Sequence, residues 1–294
     1  MKKLTLLLLA LLYVTLTYAY TERDLLQKQA DINRLKEILV LDRQWVTYPD
    51  YNDRAGWDRF LGTFKDEYIR RGEKRLNYQW QVVKATDYLA FERTGNRQIM
   101  EKPFGANNGA IADLLMAELA EGKGRFVDQL INGVFNACEM TSWALAAHII
   151  VQPSHRALPA YDYRVIDLTS GDLGGLLAWT YHFMRPSFDK VDPEISSRLR
   201  HELQTRILDP YMNNDSFWWM GRNYNGRMLN NWNPWCNSNA LMCFMLLEDN
   251  RDTLAKAVHL TMESVDKFLN YIKADGACEE GPSYWGHAAG KTLD

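Results

Sequence analysis

The sequence has few of the residues from which metal sites and disulfide frameworks are built. Its 294 residues include four cysteines and six histidines, with no C-x-x-C, H-x-x-x-H or EF-hand pattern. We therefore expect no metal and no other cofactor within this chain. Cys236 and Cys243 would lie about 10.5 Å apart along one helix, too far for a disulfide. Buried free thiols and a disulfide between other cysteines both stay open.

The chain also lacks an excess of positive charge. Its formal net charge is −3, and losing Lys2 and Lys3 with a cleaved leader would make it two units more negative. General nucleic-acid binding requires a basic surface, so nucleic acid is not an expected partner. Any anionic partner must instead be held by a local cluster of cations.

Long apolar runs are missing except at the N terminus, MKKLTLLLLALLYVTLTYAY. A basic start, an apolar run from Leu4, and small residues Thr17 and Ala19 are typical of a secretory signal peptide. The run is shorter than the roughly 20 residues that span a bilayer. We predict a signal peptide over residues 1–19, a periplasmic or secreted protein, and no membrane span in the mature chain. A retained N-terminal anchor is the alternative.

Strand patterns are scarce, whereas helical periodicity runs through most of the chain. Helices are predicted over residues 21–40, 53–70, 75–93, 107–121, 125–148, 165–184, 193–208, 237–247 and 252–272. This steady alternation of helix and loop predicts an all-α domain over residues 20–294. It fits the antiparallel helix pairs of an α/α toroid, or else an α-solenoid, and the long aromatic loops favour the toroid.

One irregular segment, Ser216 to Asn239, combines indoles, amides and guanidinium groups. Arg222 and Arg227 can bind carboxylate or sulfate as bidentate forks. The amides donate hydrogen bonds without a charge of their own, and indole faces suit the C–H faces of sugars. The segment therefore predicts binding of an anionic sugar, although some of its four tryptophans are expected to pack onto the helices instead. The expected substrate contacts here are Arg222, Arg227, Trp232, Asn233 and Trp235.

A second segment, DGACEEGPSYWGH from Asp275 to His287, follows the last predicted helix. Gly281 and Pro282 should break that helix, so Tyr284 and His287 would lie at the start of the next one. Tyr284 can donate or accept a proton there, or it can simply pack. Glu280 can serve as one acid of a glycoside hydrolase, with Asp172 as the second, or it can belong to a solvated loop. Two further segments that stand out contain His148 and Asp167.

These segments together resemble the heparinase II/III superfamily of polysaccharide lyases. The resemblance rests on RMLNNWNPWCNSNALM and DGACEEGPSYWGHAAG, in this order and spacing, supported by WALAAHIIVQ and VIDLTSGDLGGLLAWTYHFM. It implies an N-terminal α/α toroid followed by a β-sandwich, and cleavage of uronic-acid polysaccharides by β-elimination. It further implies that Tyr284 transfers the proton and that Asn231, or Asn230, neutralises the uronate carboxylate. Glu280 and His287 would lie beside Tyr284.

The chain departs from the family pattern in two ways. Several members have histidine where this sequence has its asparagines, and a further histidine comes from the β-sandwich, whereas this chain ends at Asp294. We therefore expect a toroid that is incomplete at its C terminus. The leading hypothesis is an exported lyase acting on an anionic polysaccharide such as a glycosaminoglycan or alginate. The alternatives are a glycoside hydrolase on a similar toroid and a non-catalytic glycan-binding fragment.

Overall fold

The structure is a computed structural model that describes residues 22–223, 228–272, 276 and 280–293. These residues form helices, turns and loops without a strand, which confirms the predicted all-α class. Within the same residues, no helix is long and apolar enough to cross a membrane. The predicted leader at residues 1–19 and the predicted substrate contact Arg227 lie outside the described residues, as does Cys278.

The described helices are named α1 to α12 in chain order. They are α1 (Ile32–Ile38), α2 (Arg54–Leu61), α3 (Lys65–Glu73), α4 (Ala85–Thr94), α5 (Gln98–Glu121), α6 (Val127–Glu139), α7 (Leu168–Val191), α8 (Pro193–Leu203), α9 (Asp209–Asn213), α10 (Trp232–Leu247), α11 (Arg251–Tyr271) and α12 (Lys291–Leu293). Short 3₁₀ or π-helical turns lie between some of them, at Gly62–Phe64, Ile149–Val151, Gln204–Leu208, Trp218–Met220, Pro282–Tyr284 and Gly286–Gly290.

The helices pack in a continuous series around one apolar core. In the first half of the chain, α5 contacts α3, α4 and α6. In the second half, α7 packs against α8 and α10, and α10 packs in turn against α11, which contacts α1. Contacts of α7 with α5 and α6 join the two halves, and most buried apolar side chains of both form one large cluster, with two small clusters at Leu35 and Phe268. Burial of this shared cluster is the main force that holds the helices together.

Glycines allow α7 to approach its neighbours closely. A methyl group at Gly174 would come within 2.9 Å of the Ile207 side chain, and one at Gly171 would come within 3.2 Å of Asn239 on α10. Both distances are shorter than ordinary carbon contacts. The small residues therefore set the spacing between α7 and α10, and this spacing brings Asp172 of α7 beside the first turns of α10.

The helix predicted over residues 21–40 is wrong for more than its first half, because the helix begins only at Ile32. The backbone N–H groups of Leu26 and Gln27 donate to the buried Asp266 carboxylate on α11, at 2.9 Å each. Those of Arg23 and Asp24 donate to the Asn270 side chain. Four backbone donors of the segment are thus satisfied by side chains of α11, whereas those of Lys28 and Gln29 donate to carbonyls of the segment itself in turns.

Two other predicted helices are shortened for the same reason. The helix predicted from residue 75 begins at Ala85, and the buried Asn107 side chain bonds both the N–H and the carbonyl of Gln81. The helix predicted to reach residue 148 ends at Glu139, and the buried Asp167 carboxylate accepts from the N–H of Leu145 at 3.1 Å. A single buried polar side chain can therefore divert a segment with helical periodicity into a loop.

Three helices extend beyond their predicted bounds. α5 begins at Gln98 rather than at residue 107, and α7 continues to Val191 rather than stopping at 184, although each contains a proline. α10 begins at Trp232 rather than at residue 237, with Pro234 in its first turn, where the missing N–H costs nothing. The Asn- and Trp-rich segment is therefore helical from Trp232 onward.

Candidate functional site

The candidate site is built around the N-terminal end of α10. Asn231 immediately precedes the helix and is 3% exposed. Asn230 lies one residue earlier, and its side-chain carbonyl accepts from the N–H of Trp232 at 3.1 Å. The first backbone N–H groups of a helix have no partner within it, so this end carries partial positive charge. Asn230 satisfies one of these groups directly.

Glu280 satisfies another of the backbone N–H groups at the start of α10, and it also binds the Asn231 side chain. Its carboxylate accepts from the Asn231 backbone N–H at 3.0 Å, and both its oxygens lie 2.6 Å from Nδ2 of Asn231. The contact fixes the orientation of the amide, because an amide oxygen facing a carboxylate would be repelled. The Asn231 Oδ1 atom is buried and has no hydrogen-bond partner among the described residues.

A second contact joins the same two segments one turn further along α10. The ring of Trp235 stacks on the ring of His287, with centroids 4.2 Å apart and planes 6° from parallel. Trp235 Nε1 donates to Asp172 at 2.7 Å, and the Asn239 amide donates to the same carboxylate oxygen at 2.8 Å. Asp172 therefore holds the indole in the orientation that His287 meets.

Tyr284 lies beside this stack and is 42% exposed. Its ring meets His287 edge-on, with centroids 5.8 Å apart. Helical turns begin at Pro282 and continue from Gly286, which confirms the prediction that Tyr284 and His287 lie at a new helical start. The structure thus places Tyr284, His287 and Glu280 on one segment against α10.

On the other side, Trp232 packs between two more rings. Its centroid lies 4.7 Å from that of His148 and 5.4 Å from that of Trp218, which is 44% exposed. Trp232 and Trp235 are one turn apart on α10, and each belongs to its own group of rings, Trp232 with Trp218 and Trp235 with His287 and Tyr284. We call these two groups together the aromatic row: Trp218, Trp232, Trp235, His287 and Tyr284.

Two predicted contacts, Arg222 and Asn233, have other partners in the structure. Arg222 forms an ion pair with Asp215 and donates to the Tyr211 carbonyl at 3.3 Å. Asn233 is fully buried, and its amide donates to the Trp219 carbonyl at 2.7 Å and to Ser264. The structure thus assigns Asn233 to packing rather than to a surface that a polymer could reach. Trp219 is buried as well, so part of the tryptophan set packs as expected.

Sequence reasoning missed a cluster of charged and polar groups beside Trp232. His148 Nδ1 lies 2.7 Å from the buried Asp167 carboxylate, and its Nε2 lies 3.2 Å from the guanidinium of Arg97. A guanidinium can only donate, so Nε2 accepts and the proton lies on Nδ1. Asp167 also caps α7 by accepting from the N–H of Ser170, a pattern that Asp-Leu-Thr-Ser signals. The sequence holds no comparable signal for Arg97.

The three cysteines that the structure describes take no part in this chemistry. Cys236 lies in α10, where burial, reinforced by the charges of Asp167 and Asp172, raises the pKa of its thiol well above the usual value. Burial also raises the pKa of Cys138 and of Cys243 to about 12. All three are free and buried, so none supplies a thiolate nucleophile.

The described residues contain no group of three or more histidine, cysteine, aspartate or glutamate side chains that could hold a metal ion. A scan of the chain against protein-family models finds no match, and a search of curated proteins finds no similar sequence. The geometry at the N-terminal end of α10 is therefore the basis on which a function can be argued.

Proposed function

We propose that this chain is the helical domain of an exported polysaccharide lyase, with its helix pairs arranged as an α/α toroid, that cleaves uronic-acid polymers by β-elimination. The observation that supports this most is the contact between the two segments that carry the resemblance. Asn231 meets Glu280, and Trp235 meets His287, although 49 residues separate the first pair in the sequence. These contacts support the proposal that the expected proton-transfer and carboxylate-binding groups belong to one site.

In this proposal, Tyr284 transfers the proton of the sugar C5 position to the glycosidic oxygen that leaves C4, so the C5–H and C4–O bonds break and the C4=C5 double bond forms. Tyr284 is partly exposed to solvent, as a residue that contacts a polymer must be. Removal of the C5 proton moves negative charge onto the uronate carboxylate, so preorganised donors near that carboxylate favour the transition state. The backbone and side-chain N–H groups of Asn231 are such donors, at the positive end of α10.

Binding of a uronate carboxylate at Asn231 would be an exchange, because the Glu280 carboxylate already occupies that position. This carboxylate holds both donor groups of Asn231 in the structure, so a uronate carboxylate would bind by displacing it or sharing them. Displaced Glu280 would remain on the same segment as Tyr284, close to the reacting sugar. Asn230 is committed to the first turn of α10, which makes Asn231 the stronger candidate for contact with the carboxylate.

The aromatic row provides the sugar platform in this proposal. Trp218 and Tyr284 are its exposed ends, whereas Trp232 and Trp235 are half-buried between other rings. Indole and phenol faces contribute contact area at small entropic cost. Arg222 would contribute charge only by exchanging Asp215 for an anionic group of the polymer. Arg227 stays a predicted contact.

A glycoside hydrolase is the second candidate, and the position of two acids favours it. Asp172 and Glu280 both contact the first turns of α10, through Trp235 and Asn231. Two carboxylates on either side of one site can act as acid and base. Products separate the two reactions, because elimination leaves an unsaturated uronate that absorbs ultraviolet light and hydrolysis does not. A glycan-binding protein would give neither product.

The experiment is an ultraviolet assay of the full-length protein on glycosaminoglycans and alginate. Tyr284→Phe should lower the rate by about 10²–10⁴-fold, the usual cost of losing a general acid–base group, with an unchanged melting temperature. Tyr161→Phe is the matched control, because this tyrosine is also exposed and lies outside the aromatic row. New reducing ends without ultraviolet absorbance would favour the hydrolase, and wild-type turnover by Tyr284→Phe would refute the mechanism.

A further inference from the structure

A polar cavity of about 320 Å³ lies at the opposite end of α10 from the candidate site. α10 has 16 residues, so the two ends are about 24 Å apart. The cavity volume is at the small end of the range for ligand pockets, about 300–1,000 Å³. Its charged and titratable lining consists of Arg43, Tyr181, His182, Arg185, Arg200, Glu248 and Asp249. We call it the arginine cavity.

Two of the three arginines are held in place by the end of α10. Arg43 Nε donates to the Leu246 carbonyl at 2.8 Å and its guanidinium pairs with Asp249. Arg200 donates to Gln204 at 2.7 Å and approaches the Leu247 carbonyl at 3.5 Å. Each guanidinium has five N–H donors, and these bonds use only some of them. Both groups are thus fixed and still have donors to offer.

The backbone around Arg43 is strained in a way that supports this position. Asp42 and Arg43 have φ values of 62° and 60°, in the left-handed region that side-chain-bearing residues seldom adopt. Such conformations persist only where the surrounding structure enforces them, and they are frequent at ligand sites. Here the strained turn directs Arg43 onto the carbonyl end of α10 and into the wall of the cavity.

Arg185 makes the weakest internal contacts of the three arginines in the cavity. Its side chain is 58% exposed, its one ion pair with Asp189 is long at 3.4 Å, and its guanidinium lies 5.6 Å from the centroid of the Tyr181 ring. The terminal nitrogens of Arg185 bind no other described residue. A ligand in the cavity could therefore take a bidentate contact from Arg185 without breaking a strong internal bond.

The balance of charge in the cavity favours an anion. Three arginines face two acids, and Asp249 is already paired with Arg43, while Glu248 accepts from the backbone N–H of Asn250 at 2.8 Å. Burial, followed by the nearby charge of Arg43, lowers the pKa of His182 from its ordinary value, which favours the neutral imidazole. Guanidinium forks match the geometry of oxyanions.

From this arrangement we propose that the arginine cavity is a second binding site, separate from the candidate active site, for the oxyanion group of a small ligand. The group is a carboxylate, a sulfate or a phosphate, held between Arg185 and Arg200 with Arg43 behind them. Neutral His182 and the two acids remain to accept or donate to hydroxyl groups on the same ligand. The site does not depend on the proposed lyase activity.

The test is calorimetric titration of the full-length protein with inorganic sulfate, inorganic phosphate and glucuronate, all at constant ionic strength. We expect saturable binding of at least one probe, and preference among the three identifies the oxyanion. Arg185→Gln should weaken that binding about tenfold, as loss of a charge-assisted hydrogen bond does. Asp249→Asn should strengthen it, because the substitution frees the guanidinium of Arg43.

The matched control is Arg34→Gln on α1, where an arginine of 59% exposure also pairs with an acid on its own helix. Its affinity for the probe should equal that of the wild type. Unfolding curves of Arg185→Gln should match the wild type too, since this side chain is exposed. Absence of saturable binding, or equal weakening by both arginine substitutions, would overturn the proposal. So would loss of the signal in Asn231→Ala, which would place the anion at the candidate site.

Discussion

The two ends of α10 recruit opposite charges from distant parts of the chain. At the first end, the carboxylate of Glu280 binds the N–H groups of Asn231 from 49 residues away. At the second end, Arg43 binds the Leu246 carbonyl from 203 residues away. Unpaired N–H groups make one end of a helix positive, and unpaired carbonyls make the other negative. The helix thus selects which side chains can stabilise each end.

This difference predicts two ways of binding an anion. At the Asn231 end, an internal carboxylate already occupies the donors, so an external anion must compete with Glu280. At the Leu247 end, the arginines are cations that cover carbonyls and retain further donors, so an external anion adds to the cluster. Competition suits a substrate that arrives and leaves, whereas addition suits a ligand that stabilises the fold.

The largest effect is expected from removing the Glu280 carboxylate at the N-terminal end of α10. Glu280→Ala leaves the buried amide of Asn231 without an acceptor and should cost about 1–3 kcal/mol of unfolding free energy. Residues 280–293 should also exchange their backbone hydrogens faster, since their hydrogen-bonded contact with Asn231 is lost. Denaturant unfolding and hydrogen-exchange mass spectrometry measure the two effects.

Glu280→Gln is the matched variant, because its side-chain carbonyl can still accept from Asn231 at reduced strength. It should fall between Glu280→Ala and the wild type in both measurements. Equal hydrogen exchange of residues 280–293 in all three proteins would contradict the idea that Glu280 fastens this segment to α10.

A smaller effect is expected from removing the cation at the second end. Arg43→Ala deletes a hydrogen bond and a charge at the carbonyl end of α10, together worth about 1 kcal/mol. Asp249→Asn is the control, because it removes the ion pair and keeps Arg43 on the Leu246 carbonyl. Exposed ion pairs contribute little, so Asp249→Asn should unfold nearly as the wild type does. If both variants lost the same stability, the ion pair rather than the helix end would explain the role of Arg43.

The two ends also differ in how far the sequence predicts them. The Asn231 end lies within two motif segments, so its participants could be chosen from the sequence, including Glu280, His287 and Tyr284. The sequence does not predict which of these residues pair across the two segments, because hydrogen bonds between segments 49 residues apart leave no periodic pattern. The sequence does not predict the full burial of Asn233 either, since an asparagine in a polar segment resembles its exposed neighbours.

The arginine cavity could not be found from the sequence at all. Arg43 and Arg200 lie in unrelated segments, and a single arginine in a helix or turn carries no signal about what it faces. The same limit explains the errors in helix bounds. Periodicity correctly indicates an all-α fold, but Asp266, Asn107 and Asp167 bind backbone groups of other segments and end or prevent helices there. Periodicity describes one segment at a time, and these contacts join two.

The smallest expected effect is a pH dependence confined to the second end. His182 is half-buried, and its folded pKa lies below 6.5 because of burial first and the charge of Arg43 second, with Asp50 acting weakly in the other direction. The unfolded chain therefore binds the proton more readily than the folded chain does. The contribution of His182 to the free energy of unfolding is fully present above about pH 6.5, and it is lost as the pH falls through the folded pKa.

His182→Gln should therefore lose less stability than the wild type between pH 7.5 and pH 5.5, as followed by urea unfolding. The charged groups around the cavity are Arg43, Arg185, Arg200, Glu248 and Asp249, and the substitution leaves all of them in place. Added sulfate should reduce the difference between the two proteins in the stability lost at low pH. A bound anion favours the protonated imidazole that the wild type gains there. An identical loss of stability in both proteins would show that His182 titrates alike in the folded and unfolded chains, and the electrostatic contrast between the two ends of α10 would then not extend to this histidine.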